Sequence, residues 1–115
     1  MNVEPVDERD SGWEDPAPRF RVYLFAGDEP GYTTWTYDIS GGDVLDAIRW
    51  AQSEAGSERM YAVALVRDER WPDGQNVRGL VWLVGMDAND HPRSDTDHAR
   101  RNAMLRRRGR AVVAE

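Results

Sequence analysis

The chain contains no lysine and no cysteine, and each absence closes off chemistry before any motif is sought. Without cysteine there are no disulfides, no thiolate metal ligands and no thiol nucleophile, and nothing calls for an oxidising compartment. Without lysine there is no phosphate-binding loop ending in Gly-Lys-Ser/Thr, no Schiff base, and no nuclease centre that sets a lysine beside two carboxylates. All 15 basic residues are therefore arginine, a bias that GC-rich coding explains without a functional cause. Long apolar runs are missing too, since none approaches the roughly 20 residues that span a bilayer. The opening residues are acidic and lack the basic-then-apolar order of an export signal. The expectation is a cytoplasmic protein that makes no use of a membrane.

Catalytic signatures are equally scarce. There is no GxSxG, no HExxH and no glycine-rich loop with a downstream acid, so hydrolase, zinc-protease and dinucleotide readings have no anchor. No catalytic residue, metal or cofactor is assigned, and the reading leans away from an enzyme.

What is present suffices for one core. The 115 residues are 40% hydrophobic and 31% charged, which at this length can close a sheet and one or two helices without metal or disulfide staples. The net charge of −6 is unevenly placed: residues 1–18 carry six acids against Arg9, and residues 99–115 carry six arginines against Glu115. The organisation expected is a flexible acidic arm over 1–18, an α+β domain over 19–90, and an arginine-rich helix or tail over 91–115. Opposite charges at the two ends either recruit an electrostatic partner or mask one another.

Periodicity supplies the elements. Arg19 to Ala26 alternates, with Phe20, Val22 and Leu24 on one face, as a half-buried strand does. Gly27-Asp28-Glu29-Pro30-Gly31 is turn chemistry, so Tyr32 to Ile39 should return antiparallel, with Thr33, Trp35, Tyr37 and Ile39 toward the core. A helix is expected from about Gly42 to Ala55, with Ser40 and Asp43 resembling a capping box. Its stripe is Val44, Ile48, Ala51 and Ala55, flanked by Leu45, and Gly56 is a suitable stop. Met60 to Val66 and Val77 to Met86 read as strands apolar on both faces, hence central ones. Arg67 to Asn76 is the loop between them, marked by Trp71-Pro72-Asp73-Gly74. Ser94 and Asp97 cap a polar helix from Asp95 to about Arg108, ended by Gly109. The fold class is α+β: a four-stranded, mostly antiparallel sheet of order β-β-α-β-β with one packed helix, followed by a polar C-terminal helix.

Two surfaces stand out. If both late strands are apolar on both faces and only one helix has an apolar stripe, one sheet face needs another cover. Trp50 lies off its helix stripe and Trp71 sits in a loop, and together with Trp82 they form the candidate interaction set, since exposed tryptophans anchor interfaces. The reading this favours is a small accessory or regulatory protein that binds another protein, or a second copy of itself, through an exposed sheet face. The alternative is nucleic-acid binding by Arg100, Arg101, Arg106, Arg107, Arg108 and Arg110, which could neutralise phosphates. Against it, those arginines spread around their helix, and residues 1–98 carry a net −11. Weaker candidates are His91 and His98 among Asp87, Asp90, Asp95 and Asp97 as a metal site. Asp68, Glu69, Asp73, Asp28 and Glu29 are weaker candidates for an acid–base pair, and Gly41-Gly42 for an anion site that Asp43 would oppose.

Overall fold

A computed structural model describes residues 1–28 and 31–115; Glu29 and Pro30, which the sequence assigns to the first turn, lie outside the described residues. Four strands and two helices follow one another: β1 (Arg19–Asp28), β2 (Gly31–Ile39), α1 (Val44–Ala55), β3 (Met60–Arg70), β4 (Asn76–Val84) and α2 (Asp95–Arg106). Before them, Asp7 caps a single 3-10 turn at Glu8–Asp10. The strands form one sheet of order β2-β1-β3-β4 with every ladder antiparallel. The second and third strands, joined through α1, are separated by β1. The α+β class and the β-β-α-β-β order are as the sequence predicts.

Helix α1 begins two residues later than expected, at Val44 rather than Gly42, because Asp43, not Ser40, is its cap. The Asp43 carboxylate accepts from the Asp46 N–H and the Asp46 carboxylate accepts from the Asp43 N–H, each at 2.9 Å, which satisfies two orphan donors reciprocally. Its buried stripe is Ala47, Ala51 and Ala55 with Val44 and Ile48 beside them. Leu45 is exposed, contrary to its expected place on the packing face. The small alanines let the helix lie close on Phe20, Val22 and Leu24 of β1 and Tyr61 and Val63 of β3. Each such side chain contributes about 1.5–3 kcal/mol on burial.

Because α1 sits over the two central strands, β2 receives little cover. Of the set expected in the core, Ile39 is half-buried while Thr33, Trp35 and Tyr37 are exposed. The loop expected after Val66 is instead strand: β3 runs to Arg70 and β4 starts at Asn76, a hairpin closed by the Trp71 N–H donating to the Gln75 carbonyl at 2.8 Å. Its outer part extends past the last β1 pair, Arg19 with Val66.

The second face of the sheet carries its own cluster, in which Phe25, Met60 and Ala62 pack with Met86 and Ala88 from the segment after β4 and with Met104 of α2. Gly85 makes the close approach possible. It has φ +76°, and a Cβ there would stand 3.1 Å from both the Ala62 Cβ and the Met104 Sδ. After α2, the chain turns back to the other side of the sheet and lies against α1.

Candidate interaction surface

One residue slips in the pairing of β3 with β4. Val63 pairs with Val84 and Ala64 with Trp82, which leaves Leu83 in a bulge. Strict alternation would set Leu80, Trp82 and Val84 on one face; the bulge breaks that row, so that Val84 packs beneath α1 while Trp82 belongs to the second face. A further correction concerns β4 itself. Read as a central strand from its apolar faces, it is an edge strand, and Val81 and Leu83 are each 43% exposed.

The second face divides into two halves. Helix α2 covers the half at the start of β3. At the border Tyr23 meets Trp82, ring centroids 5.1 Å apart and tilted by 55°. Beyond that pair no helix among the described residues lies on the sheet; Leu80 and Val66 are half-buried and Thr36, which pairs with Tyr23, is exposed. Past them runs a ladder of charges across all four strands. Arg21 donates to Asp38 through Nε at 2.7 Å and Nη2 at 3.1 Å, Arg19 stands 3.6 Å from Asp38 and 3.8 Å from Asp68, and Arg78 donates to Asp68 at 2.8 Å. The hydrogen bond from Arg21, reinforced by the charges of Arg21, Arg19 and Arg78, holds the Asp38 carboxyl below its usual range against a burial cost that acts the other way. Asp68 is lowered in the same way by Arg78. The aromatic pair is thus bounded by ion pairs, an apolar centre beside a charged rim; within that rim the Arg19 Nε is buried without a hydrogen-bond partner among the described residues.

The three tryptophans do not meet. Trp82 is on the second face. Trp71 is at the hairpin tip, 49% exposed. Trp50 is on the other side of the sheet, half-buried and edge-on to Tyr37 with centroids 5.1 Å apart, so it is the side chain by which α1 reaches β2. The arginines do not converge either. Arg101 is buried, donates to the Asp90 carbonyl at 2.8 Å and lies over the Tyr32 ring at 6.0 Å. Arg107 is half-buried, and Arg100, Arg106, Arg108 and Arg110 are exposed.

Of the weaker candidates, Asp68 is held in the β3–β4 ladder by Arg78, while Asp73, Asp87 and Asp97 take part in turns and a cap. Asp73 accepts from the Gln75 N–H, Asp87 from the Asn89 N–H, and Ser94 from the Asp97 N–H, at 2.9, 2.9 and 3.1 Å. His91 and His98 do share a groove with Tyr32, Asn89, Asp90 and Arg101. Among the described residues, no three histidine, aspartate or glutamate side chains gather in a metal-ligating group. No helix among them is long and apolar enough to cross a membrane.

Two residues that sequence reasoning passed over organise these surfaces. Asn89 reaches the outer edge of β2, where it accepts from the Tyr32 N–H at 2.8 Å and donates to the Tyr32 carbonyl at 3.3 Å and the Thr34 hydroxyl at 2.8 Å. Gln52 holds residues 112–115 against α1. For Gln52 a signal existed, since it stands four residues after Ile48 on the edge of the apolar stripe. For Asn89 no local signal exists, because its partner is 57 positions away. No protein-family model, curated protein or solved structure matches this chain.

Proposed function

We propose that the chain is a small non-enzymatic accessory or regulatory protein that docks a partner protein on the open half of its second sheet face. The observation that carries this reading is the Tyr23–Trp82 pair, half-buried at the edge of the α2 cluster and continued by Leu80 and Val66 with no helix above them. Aromatic side chains of this kind supply large contact area at small entropic cost and dominate interface energetics. The flanking ion pairs fix orientation and exclude wrong partners more than they add affinity.

A photo-crosslinking residue tests the reading from the face itself. Placed at Thr36, which pairs with Tyr23 across β1 and β2, it should yield a discrete adduct with a second protein in cells. The same residue at Ser53, exposed on α1, should not. Adducts that are identical from both positions, or absent from Thr36, overturn the reading.

The nucleic-acid reading keeps one support, the four exposed arginines of α2 and the segment after it. It requires binding at low salt that falls steeply as salt rises and that disappears when Arg100, Arg106, Arg108 and Arg110 are all replaced by glutamine.

A further inference from the structure

The two edges of the sheet are treated differently. On β2 the outward N–H and C=O of Tyr32 are both taken by the Asn89 side chain, which blunts that edge as a false strand would. On β4 the outward groups can be assigned by counting from the hairpin. The Trp71 N–H donates to Gln75, and hydrogen-bonded pairs alternate along an antiparallel ladder. Val77, Gly79 and Val81 therefore turn their backbone groups toward β3, and Arg78, Leu80 and Trp82 turn theirs away. The same alternation carried across the sheet turns Tyr32 outward, where Asn89 meets it. Among the described residues nothing takes the outward groups of β4. The strand has no proline, a single charge at Arg78, and apolar side chains on both faces. Such an edge is a template for another strand.

We propose that this strand pairs with β4 of a second copy of the chain, antiparallel about a two-fold axis at Leu80, joining two four-stranded sheets into one. The partner is identified by self-complementarity. With the axis at Leu80, each Arg78 stands opposite Trp82 of the second copy, and symmetry makes the contact twice. Guanidinium on indole is a favourable pairing that this fold already uses within itself, Arg59 over Trp35 at 5.4 Å and Arg67 over Trp13 at 5.8 Å. On the opposite face Val81 falls beside Gly79 of the second copy, where the missing side chain leaves it room. An axis at Arg78 would set two guanidiniums together, one at Gly79 would exchange tryptophan for leucine opposite Arg78, and one at Trp82 would run the pairing into the bulge at Leu83. The inference goes beyond the docking reading, because it uses backbone on the sheet edge and leaves the open half of the face available.

Sedimentation and light scattering of the full chain over the micromolar range test it. The mass should rise with concentration from 13.1 kDa toward twice that value. Arg78→Pro deletes an N–H that points away from β3, so the chain's own hairpin ladder stays intact. Val81→Lys puts a charge beside Gly79 of the second copy. Each should raise the dimer dissociation constant about tenfold or more, with circular dichroism showing that the variant is folded; where one fails to fold, the other decides. Thr36→Arg, which blocks the face and not the edge, should leave the dimer unchanged and so separates this proposal from the docking reading. A chain that stays at monomer mass throughout, or a dimer that persists undiminished in either folded variant, overturns the proposal.

Discussion

Gln52 and Val113 exchange hydrogen bonds in both directions: the glutamine Nε2 donates to the Val113 carbonyl, and its Oε1 accepts from the Val113 N–H at 3.2 Å. The same oxygen accepts from the Val112 N–H at 2.8 Å, and Arg49 adds a bond to the Ala114 carbonyl at 2.8 Å. A side chain only 7% exposed thus fastens the segment after α2 to the middle of α1.

Replacing Gln52 with leucine keeps the volume and removes every one of its bonds. The expected loss is about 1–3 kcal/mol, because partly buried N–H groups lose their acceptor. Urea unfolding measures the loss, and amide exchange should quicken at Val112 and Val113 while the β1–β3 amides keep their protection. Unchanged exchange at those two positions would show that the segment is held by something else.

Acid should weaken the fold through Asp38. Its carboxyl sits lower in the folded chain than in the unfolded one, chiefly because Arg21 donates to it. The unfolded state therefore takes up the proton first as pH falls. The contribution is fully present above the ordinary aspartate value of about 4 in the unfolded chain, and is lost as pH drops through the lowered folded value. Asp38→Asn should be less stable at neutral pH and should show a flatter decline in acid. An unaltered decline would locate the acid sensitivity at other carboxylates.

Tyr61 offers a substitution expected to help. The residue is 4% exposed, its hydroxyl has no hydrogen-bond partner among the described residues, and burial pushes its ionisation upward. Tyr61→Phe should be neutral or stabilising by up to about 1 kcal/mol, since a buried polar group without a partner is removed. It should also remove a loss of stability in strong base, where the unfolded tyrosine ionises before the folded one. A destabilisation above this size would mean that the hydroxyl has a partner.

Gly85→Ala tests the seat of α2. The new methyl would need a left-handed backbone and would press on Ala62 and Met104 together. A cost of about 1–3 kcal/mol is expected from the strained conformation, with exchange quickened across Asp95–Arg106 more than across α1. Equal effects on both helices would contradict the placement of Gly85 as the contact specific to α2.

Much of this architecture is legible in local pattern. The alternation of Phe20, Val22 and Leu24, the Asp43-to-Asp46 spacing and the alanine stripe of α1 each report a period or a cap, and these are encoded within a few residues. Three features escaped because they depend on partners outside their own segment. Leu83 leaves the ladder because of how β4 meets β3, so no alternation within β4 could place Trp82 and Val84 on opposite faces. Arg67 to Arg70 and Asn76 read as loop because they are polar, but they form a ribbon beyond the core where both faces meet water. Trp50 is an anomaly by periodicity, yet Tyr37 on β2 gives it a place. Of the candidate surface, Trp82 was legible and Tyr23, its neighbour through β3, was not.

The strand order has a kinetic side as well. β1 with β2 and β3 with β4 are each hairpins joined by short connections, whereas the seam between β1 and β3 must close across the whole of α1. Local pairs form fast and distant ones slowly, so the two hairpins should be early species and their docking along Val22 and Val63 the slow event. Mutations at that seam should retard refolding, and mutations in α2, which can settle only afterwards, should chiefly hasten unfolding.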